Sequence, residues 1–216
     1  MTRPLTTTVL ALLLVLLGAA AATAAPVYVG HLLFSAAQEA SIMMSPDGSG
    51  PPLTEARSSG GAVIDASIDV QLVDFLFDPI LNFPREDLWL QFADDGTVGS
   101  CFQGGLIFPA DDDTDLNGWT RFALPPRGGG WSAGPATVYL NGSPAYDPGG
   151  LVYPSVPLRA NSPDLNGDLA VDLSDIALFT QDLFSGDTYR SDLNWDGQIN
   201  IVDIALFVGH IGVVCE

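Results

Sequence analysis

Asp164-Leu165-Asn166-Gly167-Asp168-Leu169-Ala170-Val171-Asp172-Leu173-Ser174-Asp175 and Asp192-Leu193-Asn194-Trp195-Asp196-Gly197-Gln198-Ile199-Asn200-Ile201-Val202-Asp203 are near-copies, 28 residues apart, and both run on into Ile-Ala-Leu-Phe. Each places side-chain oxygens at its first, third, fifth, ninth and twelfth positions, and the seventh can offer a backbone carbonyl. That pattern suits Ca²⁺, a hard cation that takes six to eight oxygens in a flexible shell. The loops offer neither thiolate nor imidazole, which excludes a zinc or copper reading.

Working outward, each loop leads into an apolar helical pattern. Ile204, Phe207, Val208 and Ile211 fall at i, i+3, i+4 and i+7, and Ile176, Phe179 and Leu183 nearly repeat this in the first copy. Each predicted helix has one stripe to bury, and the other helix is the obvious partner. Val171 and Ile199, at the eighth positions, are expected to bridge the two loops through their backbones. A core this small is marginal alone, so metal binding is expected to couple to folding.

Upstream the texture is different. Residues 1–24 read as a secretory signal peptide, with Arg3, an apolar run over 9–17 and an Ala22-Thr23-Ala24 cleavage pattern. The run is too short to span a bilayer. Residues 25–60 hold a first strand candidate, 27–36, and then a turn-rich segment. From 61 to 160 the pattern is that of short strands. Ile68, Val70 and Leu72 alternate with Asp69 and Gln71, and further candidates lie at 87–92, 98–108, 119–124, 136–140 and 151–158. This predicts a mainly β chain: an antiparallel β-sandwich, then a short linker at 161–163, then a small all-α module over 161–216.

The formal net charge is −19, from 26 acids against seven basic residues, all arginine. Such a surface repels phosphate backbones and anionic lipid, so nucleic-acid and membrane-surface roles are disfavoured. Cys101 and Cys215 suit an oxidising compartment. Paired, they would tie the C-terminus to the preceding domain and stabilise the fold by about 4 to 5 kcal/mol in the chain-entropy model. The alternative is a free or intermolecular Cys215.

The duplicated loop-helix pattern over residues 162–212 resembles a dockerin, the module that plugs bacterial extracellular proteins into cohesin-bearing scaffolds. The resemblance implies two Ca²⁺ sites. The first would use Asp164, Asn166, Asp168, Asp172 and Asp175 with the carbonyl of Ala170. The second would use Asp192, Asn194, Asp196, Asn200 and Asp203 with the carbonyl of Gln198. Two departures matter. The sixth position, where glycine is expected, is Gly197 in the second loop but Leu169 in the first, which predicts either a weaker first site or a first loop that turns differently. The tenth and eleventh positions, commonly small hydroxyl residues that contact the cohesin, are here Leu173-Ser174 and Ile201-Val202. Apolar Leu173, Ile201 and Val202 are therefore expected to pack on a different protein surface or on this chain's own sandwich. Residues 60–158 are similar, more loosely, to the immunoglobulin-like repeats of bacterial surface proteins, through the Thr114-Asp115-Leu116-Asn117-Gly118 turn before a strand.

The four glutamates, Glu39, Glu55, Glu86 and Glu216, sit in no recognisable catalytic setting, and no enzymatic role is expected. The expectation is a secreted or cell-surface bacterial protein that binds calcium and docks an extracellular protein, either cohesin-like or other. The alternative is a carbohydrate-binding accessory of a polysaccharide-degrading assembly. That role needs two exposed, coplanar aromatics among Trp89, Trp119, Trp131, Tyr139 and Tyr153.

Overall fold

The computed structural model describes residues 26–102, 107–153, 155–186 and 189–216. The signal peptide read at 1–24 lies outside them. In chain order the strands are β1 (Tyr28–Phe34), β2 (Ala40–Met43), β3 (Ala56–Ser58), β4 (Val63–Ile64), β5 (Ile68–Val73), β6 (Leu88–Gln91) and β7 (Gly99–Ser100). They continue as β8 (Phe108–Pro109), β9 (Trp119–Phe122), β10 (Gly128–Gly129), β11 (Thr137–Leu140), β12 (Ser143–Pro144) and β13 (Leu158–Asn161). Two helices follow, α1 (Leu173–Ser185) and α2 (Ile201–Val208).

The chain is mainly β, and its sheets are antiparallel apart from one pairing. They run β1-β5-β9, β12-β11-β6-β8, β13-β2-β3-β4, and the two-stranded β10-β7. Alternation explains the clearest strands. In β5, Ile68, Val70 and Leu72 are buried, while Asp69 and Gln71 on the other face are only half-buried. Leu88 and Leu90 of β6 face the same core as Val138 and Leu140 of β11.

Four local expectations change. First, β2 lies in the stretch read as turn-rich. All four of its residues are buried, with sheet neighbours on both sides, so it shows none of the alternation of a half-exposed strand. Second, the run 98–108 is two separate strands, because β7 pairs with β10 and β8 with β6. Third, the strand read at 151–158 sits later in the chain, as β13. It pairs with β2 in parallel, the one parallel pair in these sheets.

The fourth change concerns the segment read as a linker. Asn161 is the last residue of β13, and Asn161, Ser162 and Pro163 are all buried. The C-terminal segment is therefore packed directly onto the sheets. Its small core of Leu165, Val171, Phe179, Leu193 and Phe207 takes in Met43 from β2. Phe179 and Phe207 meet with ring centroids 5.0 Å apart, but Leu183, Val208 and Ile211 of the same stripes stay exposed, so the expected mutual burial is only partial.

Candidate metal centre

Each loop ends inside the first turn of its helix. Asp172 caps α1 and Asn200 caps α2; each side chain accepts from the backbone two residues on. The twelfth residues, Asp175 and Asp203, complete a capping box. Asp175 and Asp203 are fully buried. Asp175 accepts from the backbone N–H of Leu165 (2.8 Å) and Asn166 (3.2 Å) at the start of its loop and from Asp172 (2.9 Å) at the end. Asp203 does the same for Asn194 (3.2 Å) and Asn200 (2.9 Å). One carboxylate thus closes each loop and starts each helix.

The loops also share a backbone. Their fourth and sixth positions are left-handed in both copies: Gly167 (φ 75°) and Leu169 (φ 70°) in the first, Trp195 (φ 53°) and Gly197 (φ 89°) in the second. Each copy therefore carries one glycine and one bulky residue at these two places. A bulky residue there costs on the order of 1 to 2 kcal/mol. The expected handicap of the first loop, Leu169, has a counterpart at Trp195.

The bulky residue in each loop is one that packs. Leu169 lies against Gly99 of β7, its Cδ2 3.2 Å from where a Cβ would stand. Trp195 is buried, with the Arg159 guanidinium 5.7 Å from its ring centroid. Gly167 is needed twice over, because a Cβ there would also strike the carbonyl of Thr97.

The first-position carboxylates face inward. Asp164 accepts from Gly167 N (2.9 Å) and Leu169 N (2.7 Å), and Asp192 accepts from Asp196 N (3.0 Å) and Gly197 N (2.7 Å). Burial, with Asp175 and Asp168 nearby, pushes the Asp164 carboxyl up to about 6. Burial, with Asp203 and Asp196, does the same for Asp192, also to about 6. Burial likewise raises Asp175. The arginine ion pairs lie elsewhere, on Asp69, Glu39, Glu86 and Asp182.

At the other positions the copies differ. In the second loop Asn194 (3.0 Å) and Asn200 (3.2 Å) both donate to Asp196, knitting the third, fifth and ninth positions together. In the first, Asn166 donates to Asp168 (2.9 Å), but the ninth residue is Asp172, which takes both the backbone N–H and the hydroxyl of Ser174. Two carboxylates cannot share a hydrogen bond as an amide and a carboxylate can.

Among the described residues, no three His, Cys, Asp or Glu side chains converge closely enough to hold a metal ion by themselves. The loop carboxylates are engaged with backbone N–H groups instead. In chemistry the donor set still suits a hard cation, since both loops gather buried, mutually repelling carboxylates with amide oxygens alongside. Ala170 and Gln198 stand at the seventh positions of these turns, and Ala170 N donates to Asp168 (3.1 Å) as Gln198 N does to Asp196 (3.0 Å).

The expected backbone bridge between Val171 and Ile199 is absent from the hydrogen bonds of the described residues. Val171 pairs with the C-terminal tail: its N–H reaches Val213 O (2.8 Å), its carbonyl takes Gly212 N (2.9 Å), and Cys215 N donates to Leu169 O (3.1 Å). The tail holds this position because Cys215 is disulfide-bonded to Cys101, with Cα atoms 5.8 Å apart.

Several residues that position the loops were not singled out from the sequence. A Cβ at Gly129 of β10 would collide with the Asp164 carboxylate, and Gly130 N donates to Asp164 O (2.6 Å). Asn161 donates to the Asp192 carbonyl (2.7 Å). Asp182 of α1, buried in an otherwise apolar pattern, binds Arg190 through two bonds (2.6 and 2.8 Å) and Ser191 (2.6 Å), fixing the entry to the second loop. The signal was an aspartate breaking an apolar stripe, with an arginine two residues before the second loop.

Leu173 (80% exposed), Ile201 (74%) and Val202 (47%) lie at the helix starts, as does exposed Ser174. None is covered by the sheets. The five aromatic candidates are scattered. Trp89 and Tyr139 are cross-strand neighbours with parallel rings (11°, 5.8 Å), while Trp119 stacks on His31 and Trp131 meets Tyr189 edge-on. Tyr153 donates its hydroxyl to Gly30 O (2.9 Å). Compared with protein-family models, curated proteins and solved structures, the chain matches none of them.

Proposed function

We propose that the chain is a secreted, non-catalytic protein in which two calcium-ordered, dockerin-like loops orient a helix pair for docking to an extracellular protein. In this reading an immunoglobulin-like β-sandwich is the structural or adhesive body. The observation that carries it is the common backbone of residues 164–175 and 192–203. Left-handed fourth and sixth positions and a buried twelfth aspartate recur in both, although the residues at the left-handed positions are exchanged.

Asp164, Asn166, Asp168, Asp172 and Asp175 would hold one Ca²⁺ with the Ala170 carbonyl, and Asp192, Asn194, Asp196, Asn200 and Asp203 the other with that of Gln198. The ion would supply positive charge to carboxylates that burial and mutual repulsion disfavour. Asp175 and Asp203 then do the rest. Because each would be the loop's last oxygen donor and also completes the capping box inside the first turn, fixing the loop fixes the first helical turn. That turn carries Leu173, Ser174, Ile201 and Val202 outward, the surface proposed to meet the partner, whether a cohesin-like domain or another extracellular protein.

The test is capture from the native secretome with immobilised protein, in calcium and in EDTA, comparing wild type with a Leu173→Asp/Ile201→Asp variant. Calcium-dependent capture that the variant loses supports the reading. Capture indifferent to EDTA and to the substitutions contradicts it.

Polysaccharide binding is the second reading, favoured by Trp89 and Tyr139, which lie parallel on the side of β6 and β11 away from buried Leu88, Leu90, Val138 and Leu140. Glycan-array binding abolished by Trp89→Ala would move the assignment there.

A further inference from the structure

We propose that the protein associates with copies of itself head to tail, the apolar turn at residues 75–77 of one copy seating in the groove between α1 and α2 of the next. The turn is a knob. Phe75, Leu76 and Phe77 are 59%, 63% and 68% exposed. They are held out rigidly, because the Asp74 carboxylate accepts from Leu76 N (2.7 Å) and Asp78 N (3.0 Å), while Phe77 N reaches Asp74 O (3.1 Å) and Asp74 N reaches Asp78 O (2.9 Å). Phe77 has a left-handed backbone (φ 67°), which a bulky residue adopts at a cost. Among the described residues little covers the ring to offset that cost. Such exposure and strain together point to a contact outside the chain.

The same chain carries a hole. Between the helices, Ile176, Phe179, Leu183, Ile204, Val208 and Ile211 line an apolar groove of about 240 Å³. That is smaller than a cleft for a drug-sized ligand and suits one or two side chains. Charge decides in favour of this occupant. On a chain of net charge −19, a docking surface for a second copy must be free of carboxylates, and the three aspartates of the helices, Asp175, Asp182 and Asp203, are all buried. The knob, bounded in the chain by Asp74 and exposed Asp78, meets no like charge there.

Knob and hole are different surfaces, so the contact is heterologous and leaves both free at the ends of a growing chain. Burying two such side chains and their counterparts removes roughly 500 Å² in all, below the ~1,200 Å² of stable complexes, so the association is weak. It requires the folded helix pair.

Sedimentation velocity over a range of protein concentrations, in calcium and raised salt, tests this. The expected result is a mass that rises with concentration, and more so as salt screens the acidic surfaces. Phe77→Asp and Ile211→Asp should each stay monomeric at concentrations at least tenfold above those where wild type associates, with thermal melts and calcium titrations like wild type. Should Ile211→Asp fail to fold, Val208→Asp takes its place. A mixture of the knob and groove variants should form a heterodimer that neither forms alone, because each retains one intact half. Wild type that stays monomeric throughout, or a mixture that does not associate, overturns the proposal. So does flotation of monomeric wild type with phosphatidylcholine vesicles that Phe77→Asp abolishes, which would assign the turn to a membrane surface.

Discussion

The two twelve-residue loops share a frame and differ in how they meet the sheets. Residues 164–175 press Gly167 against Thr97 and Leu169 against Gly99, and the C-terminal tail runs alongside them. Residues 192–203 bury Trp195 under Arg159 and leave Gly197 in open space. The frame needs two left-handed residues, and in each copy one is a glycine and the other a side chain that packs. A missing glycine is therefore not in itself a damaged site. What matters is whether packing offsets the backbone strain.

The comparison can be broken most severely at the disulfide. Cys101→Ser with Cys215→Ser should lower stability by about 4 kcal/mol in chemical denaturation. It should also weaken the first loop selectively, because the tail that pairs with Val171 and Leu169 is released. Equal effects on both loops would mean that the tail does not support the first.

Next in size are the two bulky left-handed residues. Trp195→Gly should destabilise by about 2 to 4 kcal/mol, since lost burial outweighs relieved strain. Leu169→Gly, whose side chain is only partly buried, should fall within about 1 kcal/mol of wild type. Comparable losses in thermal melts would refute the idea that Trp195 is the more deeply anchored of the two.

Acidity gives a third contrast, between metal-free and loaded protein. Asp164 and Asp192 are raised from 3.8 to about 6, so the folded state holds their protons more tightly than the unfolded state. In EDTA, the stabilisation they contribute is complete below about pH 4 and is lost as pH rises through 6, with a change on the order of 1 to 3 kcal/mol per group. In calcium the trend should reverse, because protons compete with the ion. Melting temperatures across this range check the sign.

The smallest expected effects sit at the ninth and fifth positions. Asp172→Asn removes one of four loop aspartates and should weaken calcium at the first loop severalfold, while Asn200→Asp should tighten the second. Asp168→Ala and Asp196→Ala should weaken their own loops to a similar degree, as measured by calorimetry. A much larger loss at Asp196 would restore the view that Leu169 had already compromised the first loop.

Much of this was legible in the sequence. Repetition exposed the loops and both helices, strict alternation exposed β5, and turn residues on either side bounded β6 and β11. What escaped has physical reasons. β2 is buried on all sides and so lacks alternation. Asn161-Ser162-Pro163 has a linker's composition but lies in the seam between the sheets and the C-terminal segment. Gly129 serves the Asp164 carboxylate through the close approach of two backbones that no local pattern announces. Trp195 at a left-handed position is intelligible only once Arg159 is seen above it.

The central claim, that both loops are calcium sites, is tested most directly by calorimetric titration of chelator-treated protein. The account predicts two ions bound per chain, with one binding event lost in Asp164→Ala and the other in Asp192→Ala. No heat of binding, together with a melting temperature unchanged between calcium and EDTA, would contradict it.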